Sequence, residues 1–228
     1  VLLTDDDLLA LTTTLKLAAL TTLLLLALGT PLAWWLARSR SRAVVFADAL
    51  VALPLVLPPT VLGFYLLLML GPHGIVGGTL QSLGLPHLAF SFTGLLLAST
   101  LYSLPFTVQP LRDAFAAVGT RVTDAAATLG AGPLDRFFTV VLPLSRRGIL
   151  TAATLTFAHT VGEFGVVLMV GGNIPGETRL LSIAIYEHTE TMNYAAAHAL
   201  AAWLLAGSFA LLLFVYTLNA RHRLTVRA

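Results

Sequence analysis

A run of 63 residues, Ala49 to Leu111, contains no Asp, Glu, Lys or Arg, and a second run of 30 residues, Thr191 to Ala220, contains none either. A soluble domain is about one-quarter charged, whereas this chain of 228 residues is 57% apolar and 11% charged. Such stretches fit a lipid environment, so the expected class is an all-α, polytopic integral membrane bundle. With no cysteine anywhere, a disulfide framework, a zinc-thiolate site and a thiol nucleophile are excluded. Twelve of the thirteen basic residues are Arg in short clusters, which suits membrane topology better than a nucleic-acid surface. Asp5, Asp6 and Asp7 stand where a cleavable leader would carry Lys or Arg, so the first apolar segment is expected to be retained.

A spanning helix needs roughly 20 apolar residues. Five stretches qualify: Leu17 to Ala37, Ala49 to Gly71, Leu88 to Val108, Gly148 to Gly171 and Ala195 to Leu218. Within the second, Pro54, Pro58 and Pro59 interrupt the helix, and the freed carbonyls must face protein or a polar cavity rather than lipid. Eleven of the thirteen basic residues follow spans one, three and five, leaving only Lys16 and Arg179 for the other side. The positive-inside rule then places the N-terminus outside and the C-terminus in the cytoplasm. The whole chain, 1–228, reads as one transmembrane domain containing a cytoplasmic loop at 109–147.

That loop is far longer than a helix connection requires. Thr120 or Thr123 is placed to cap a short helix through Asp124 to Leu129, Gly130 to end it in the left-handed region, and Pro133 to begin the next. Val122, Ala126 and Leu129 on the first limb, and Leu134, Phe137, Phe138 and Val141 on the second, form an apolar knuckle among Arg121, Arg136, Arg146 and Arg147. An apolar knuckle in water implies a partner groove.

Asp124-Ala125-Ala126, three residues, Gly130, nine residues, then Val140-x-Leu142-Pro143 resembles the EAA loop of permease subunits of prokaryotic ABC importers, with Asp for Glu and Val for Ile. In that family the loop is a coupling helix that docks on a separate ATPase; the resemblance thus implies coupling roles for Asp124, Ala125, Ala126, Gly130, Pro133, Leu142 and Pro143. This chain lacks a G-x-x-x-x-G-K-[ST] loop, so ATP and Mg belong to the partner and no cofactor is expected on the chain itself. Four further stretches resemble the molybdate/tungstate branch: Leu53 to Gly63, Tyr102 to Pro110, Gly162-Glu163-Phe164-Gly165, and Gly172 to Thr178 with Ile183 to Tyr186. The sulfate/thiosulfate branch is the alternative, since it looks similar around Gly-Glu-Phe-Gly. The resemblance implies a homodimer in a bacterial or archaeal plasma (inner) membrane, two cytoplasmic ATP-binding subunits, one extracytoplasmic oxyanion-binding protein, and transport by alternating access.

Glu163 is the only acidic residue well inside a span, and His159 lies one turn earlier. A His–Glu hydrogen bond between helices is the first expectation, and gating or lining of a pathway the second. A dianion path favours neutral donors and breaks in the backbone, which makes Pro58, Pro59, Thr60, Ser103, Thr107, Gln109, Phe164 and Asn173 the remaining pathway or gate candidates. Trp34 and Trp35 read as an interfacial belt. Glu177, Arg179 and Glu187 mark the second outer loop as the docking surface for the binding protein. His73, His87, His188 and His198 are too dispersed for a metal site. Rival classes are a channel and an intramembrane enzyme. The residues three positions after Glu163, Glu177, Glu187 and Glu190 are Val166, Leu180, Glu190 and Asn193, so no E-x-x-H pair exists, and neither H-E-x-x-H nor G-x-S-x-G occurs.

Overall fold

The computed structural model describes residues 4–224, with side chains to 217. Thr4 and Asp7 start the first helix as a reciprocal capping box: the Thr4 hydroxyl oxygen accepts the Asp7 N–H at 3.2 Å, and the Asp7 carboxylate accepts the Thr4 N–H at 3.1 Å. Helix α1 therefore begins well before the apolar stretch and runs over Asp5–Arg38. The Pro-rich second stretch folds as two helices, α2 (Ala43–Val56) and α3 (Pro59–Leu70), because Pro59 is tolerated only in a first helical turn. A short helix α4 (Ile75–Ser82) precedes α5 (Phe92–Thr128), which continues into the predicted cytoplasmic loop.

Beyond α5 come α6 (Pro133–Arg136), a π-helical turn (Phe137–Val141) and α7 (Leu142–Leu144). Helix α8 (Arg146–Gly162) and the short α9 (Gly165–Gly171) are bent by 61° at Glu163–Phe164. Helices α10 (Leu181–Glu190) and α11 (Tyr194–Leu224) complete the described chain. Every regular element among the described residues is helical.

Among the described residues, three stretches are long and apolar enough to cross a membrane, Asp5–Arg38, Pro59–Ser82 and Tyr194–Thr217, and the bent pair α8–α9 makes a fourth when counted as one span. At 37 residues α5 has the length, but Ser99, Thr100, Ser103, Thr107 and Gln109 dilute its N-terminal half. Those hydroxyls matter for packing, since lipid gives helices no hydrophobic drive toward one another and close contact plus hydrogen bonds must hold the bundle. Helix α1 packs on both α5 and α8. Gly148 is close enough to α5 that a Cβ there would lie 2.2 Å from Ala114 Cβ, whereas Gly162 and Gly207 have open space at that position. Helix α11 is the outlier: 11% of its apolar window is buried, against 39% in α1.

Candidate coupling loop and membrane-embedded polar cluster

The 120–145 loop is built by punctuation. Gly119 adopts φ 71°, ψ 167° inside α5, a conformation reserved in practice for glycine, so the limb from Thr120 to Thr128 is set at an angle to the helix that feeds it. That break, rather than a Thr120 or Thr123 cap, begins the limb; the Thr123 hydroxyl donates to the Thr120 carbonyl at 2.9 Å and accepts from Arg38 Nη1 at 3.1 Å. At the limb's far end Gly130 has φ 89°. The N–H of Ala131 donates to the Ala126 carbonyl at 3.1 Å and that of Gly130 to the Ala127 carbonyl at 3.0 Å, the paired bonds of a Schellman cap. Pro133 then opens α6. Pro143 has no N–H to give the Thr139 carbonyl, and just before it the Leu142 N–H reaches back five residues to Phe137, so the chain widens into a π turn.

This geometry sorts the loop into two faces. Leu129, Leu134 and Phe138 are 88%, 75% and 60% exposed, while Thr123 and Val141 are buried. Asp124, Ala125 and Pro143 are exposed, with Ala126 and Leu142 half-buried. Phe137 turns inward, edge-on to Trp34 at 5.3 Å and to Phe115 at 5.9 Å, and Arg38 lies over the Trp34 ring at 4.6 Å. Trp34, half-buried, packs against the buried cluster of α1, α5 and α8 through aromatic partners on α5 and the loop, while Trp35 is 41% exposed. A cavity of about 550 Å³ lies between α1 and the loop, lined by Leu26, Thr30, Trp34, Pro133, Phe137 and Leu142.

In the first half of α5, three hydroxyls in successive turns bind α8 and the break after it. Ser99 Oγ donates to Glu163 Oε2 at 3.0 Å, Ser103 Oγ bonds His159 Nδ1 at 2.9 Å and Thr160 Oγ1 at 3.1 Å, and Thr107 bonds Thr156. The expected His159–Glu163 pair does not form. Glu163 has left the helix, with φ −69° and ψ 138°, so the one-turn spacing no longer brings the two side chains together, and each takes its own serine. Its other oxygen, Oε1, has no protein partner, and its backbone carbonyl accepts from Ser182 Oγ at 2.6 Å. Phe164 packs on Tyr186, ring centroids 5.0 Å apart. Ser103 and Thr107 are fully buried between α5 and α8, whereas Pro58, Pro59 and Thr60 are exposed at the α2–α3 break. Gln109 borders two adjoining clefts of about 400 and 300 Å³, the first also lined by Asp48 and Arg112, which form an ion pair at 2.8 Å.

Between α9 and α10 the chain folds into a compact turn, expected from sequence to lie outside. The Ile174 carbonyl accepts the N–H groups of Glu177, Thr178 and Arg179, and Thr178 Oγ1 donates to the Gly171 carbonyl at 2.6 Å. Glu187 Oε2 accepts from Asn173 Nδ2 at 2.7 Å and pairs with Arg179 Nη2 at 3.0 Å, so three of the residues singled out from sequence form one cluster. Glu177 stands apart, exposed. The partners that sequence reasoning missed are Ser99, Arg38 and Gly119.

Residues 29–224 match the family of binding-protein-dependent transport system inner membrane components. The molybdenum transport system permease protein ModB of Azotobacter vinelandii is 60% identical over 215 residues, covering 94% of this chain and 95% of that one. The protein of the same name from Escherichia coli K12 is 39% identical over 191 residues, covering 84% and 83%. A crystal structure of a bacterial ABC transporter involved in import of the acidic polysaccharide alginate superposes with a TM-score of 0.79 at 18% identity, over 96% of this chain and 80% of that chain, and so does its complex with a pentasaccharide-bound periplasmic protein, at 17% identity. At those identities the likeness is one of fold.

Proposed function

Because this chain belongs to the family of binding-protein-dependent transport system inner membrane components, we propose that it is the membrane-spanning permease subunit of an ATP-driven importer of molybdate, with tungstate as an equivalent substrate. The 60% identity to the Azotobacter vinelandii molybdenum permease, running nearly end to end in both chains, carries this reading and favours it over sulfate or thiosulfate. The outward apolar face of the 120–145 loop supports the ATPase partnership, since Leu129, Leu134 and Phe138 have no reason to meet water otherwise.

In this proposal two copies form the pathway, each docks one cytoplasmic ATPase subunit through its loop, and one extracytoplasmic oxyanion-binding protein delivers the anion. Five spans, α1, α2–α3, α5, α8–α9 and α11, cross the inner membrane with the N-terminus outside and the C-terminus inside, in keeping with the Arg residues clustered at the end of α1, in the loop and at the end of α11. Ser103 and Thr107 hold α5 to α8, so the lining is assigned to Thr60, Gln109 and the Pro58–Pro59 break, with Glu163, Phe164 and Asn173 nearer the outer gate. ATP-driven closure of the ATPases moves the two loops together and opens the outer side, alternately exposing one path.

The deciding measurement is uptake into proteoliposomes that contain this chain, its ATPase and a molybdate-loaded binding protein. ATP-dependent accumulation of molybdate that excess tungstate suppresses and excess sulfate does not is the expected result. Equal competition by sulfate would return the assignment to a general oxyanion permease.

A further inference from the structure

Binding-protein docking and ATP hydrolysis take place on opposite membrane faces, so an importer of the proposed kind needs a mechanical connection between its outer turn and its inner loop. Three helices lead from the loop toward the outer half, and two are interrupted. Helix α5 enters the loop through Gly119, whose conformation turns the Thr120–Thr128 limb away from the helix axis and whose Cβ position has no neighbour within 4 Å. Helix α8 leaves the loop through a turn at Ser145 and is broken again at Glu163, before the outer turn is reached. Helix α1 continues as a single helix over 34 residues, about 50 Å at 1.5 Å per residue, with Pro31 inside it near the Arg38 end, where the Ala27 carbonyl lacks its helical N–H.

Both ends of α1 are tied by polar contacts of long sequence separation. At the inner end Arg38 donates to Thr123 on the limb that carries the Ala125–Ala126 face, and its guanidinium covers Trp34, which packs on Phe137 of the second limb. At the outer end Thr14 Oγ1 accepts the N–H of Leu181 at 2.8 Å. That N–H belongs to the first residue of α10 and has no partner within its own helix. Within the capping box itself, Asp7, 3% exposed, accepts from His188 on α10 at 3.1 Å. A stiff element held at both ends transmits displacement only if both attachments are specific, and these are.

We infer that α1 is the strut through which the coupling loop and the outer turn sense each other, with Arg38 and Thr14 as the positioning residues at its two ends. This rests on the importer reading. Neither residue touches the ATPase or the anion; each acts by fixing what α1 pulls on. Coupling of this kind is reciprocal, so occupancy outside would set the loop's position inside, and the loop's position would set affinity outside.

The test uses the whole complex in proteoliposomes and compares ATP hydrolysis with and without loaded binding protein. Arg38→Met and Thr14→Val should each leave the rate without binding protein within about twofold of wild type and cut the stimulation by about threefold to thirtyfold. Arg38→Lys, which keeps a cation for Thr123 and Trp34, should recover part of the loss. The double variant should be no worse than the more severe single, because both ends interrupt one connection. If Thr14→Val fails to insert, His188→Ala reads the same end. Full stimulation in the single variants, or losses that multiply in the double, would overturn the strut. A wild-type complex that the binding protein does not stimulate at all would instead overturn the importer reading beneath it.

Discussion

Gly165, the first residue of α9, lies so close to Pro59, the first residue of α3, that a Cβ on the glycine would sit 2.7 Å from the proline Cβ. The breaks of two interrupted helices therefore meet at one point. Gly63 repeats the arrangement one turn on, against Met169 at 2.8 Å, so α3 and α9 pack as a pair beyond both breaks.

A methyl group at Gly165 has nowhere to go, because its neighbour is a rigid pyrrolidine ring. Gly165→Ala should cost about 1–3 kcal/mol of stability by forcing α9 off α3. Thermal unfolding of the detergent-solubilised protein measures the loss. Gly162→Ala, three residues earlier in open space, should change it by under about 0.5 kcal/mol.

The second expectation concerns Ser99 and Glu163, 64 residues apart and joined at 3.0 Å in the interior. Glu163 already has one oxygen without a protein partner. Ser99→Ala would leave the buried carboxyl with none for its side chain, a cost of about 1–3 kcal/mol. Ser99→Thr, which keeps the hydroxyl, should lose less. Equal loss in both variants, read as the shift in unfolding midpoint, would mean that packing volume and not the hydrogen bond matters there.

What a sequence discloses here follows the range of the interaction. Pro59 and Pro133 at helix starts and Gly130 at a left-handed cap obey rules that act within a few residues, so the α2–α3 break and the loop's bend were both legible. Gly119 was not, because a lone glycine in a helical pattern is usually absorbed, and only its φ of 71° separates it from the rest. Ser99 with Glu163, and Trp34 with Phe137, join residues far apart in the chain, and no periodicity encodes such meetings. His159 and Glu163 had the one-turn spacing of a pair, yet spacing presumes a helix, and the helix ends at Gly162.

Gly130 offers a cleaner variant than most loop positions. Its Cβ position is empty to 4 Å, so any effect of Gly130→Val comes from the backbone, where φ 89° is costly for a β-branched residue. The Schellman bonds should open and the knuckle should reorient. Membrane insertion should persist, while the amount of ATPase subunit retained on affinity purification falls at least about tenfold, the equivalent of 1.4 kcal/mol. Retention equal to wild type would remove the loop from the docking interface.

Orientation is open to direct labelling because the chain has no cysteine. Cysteines introduced at the exposed positions Thr79 and Thr189 should react with an impermeant thiol reagent added outside intact cells, and cysteines at the exposed positions Ser41 and Thr128 should react only after the membrane is permeabilised. Labelling of Ser41 from outside would invert the proposed topology.

Glu177 and Glu187 were one docking surface in the sequence, and the structure gives them different surroundings. Glu187 is spent internally: it pairs with Arg179, whose side chain is 10% exposed, and accepts from Asn173. Glu187→Lys would set a second cation against a nearly buried one, so the outer turn itself should distort, and docking should fail by an amount that changes little with salt. Glu177 is exposed at the tip of the turn. Glu177→Lys should leave the unfolding midpoint unchanged and weaken binding-protein affinity, with most of the loss vanishing as the Debye length shrinks from about 10 Å at 0.1 M salt to about 3 Å at 1 M. Neither reversal should alter the preference for molybdate over sulfate, because discrimination between tetrahedral dianions of equal charge needs a site that strips their water and measures their size, a task the proposed importer leaves to its binding protein. A changed anion preference in Glu177→Lys at unchanged binding-protein affinity would make the turn a selectivity element and end its assignment as a docking surface.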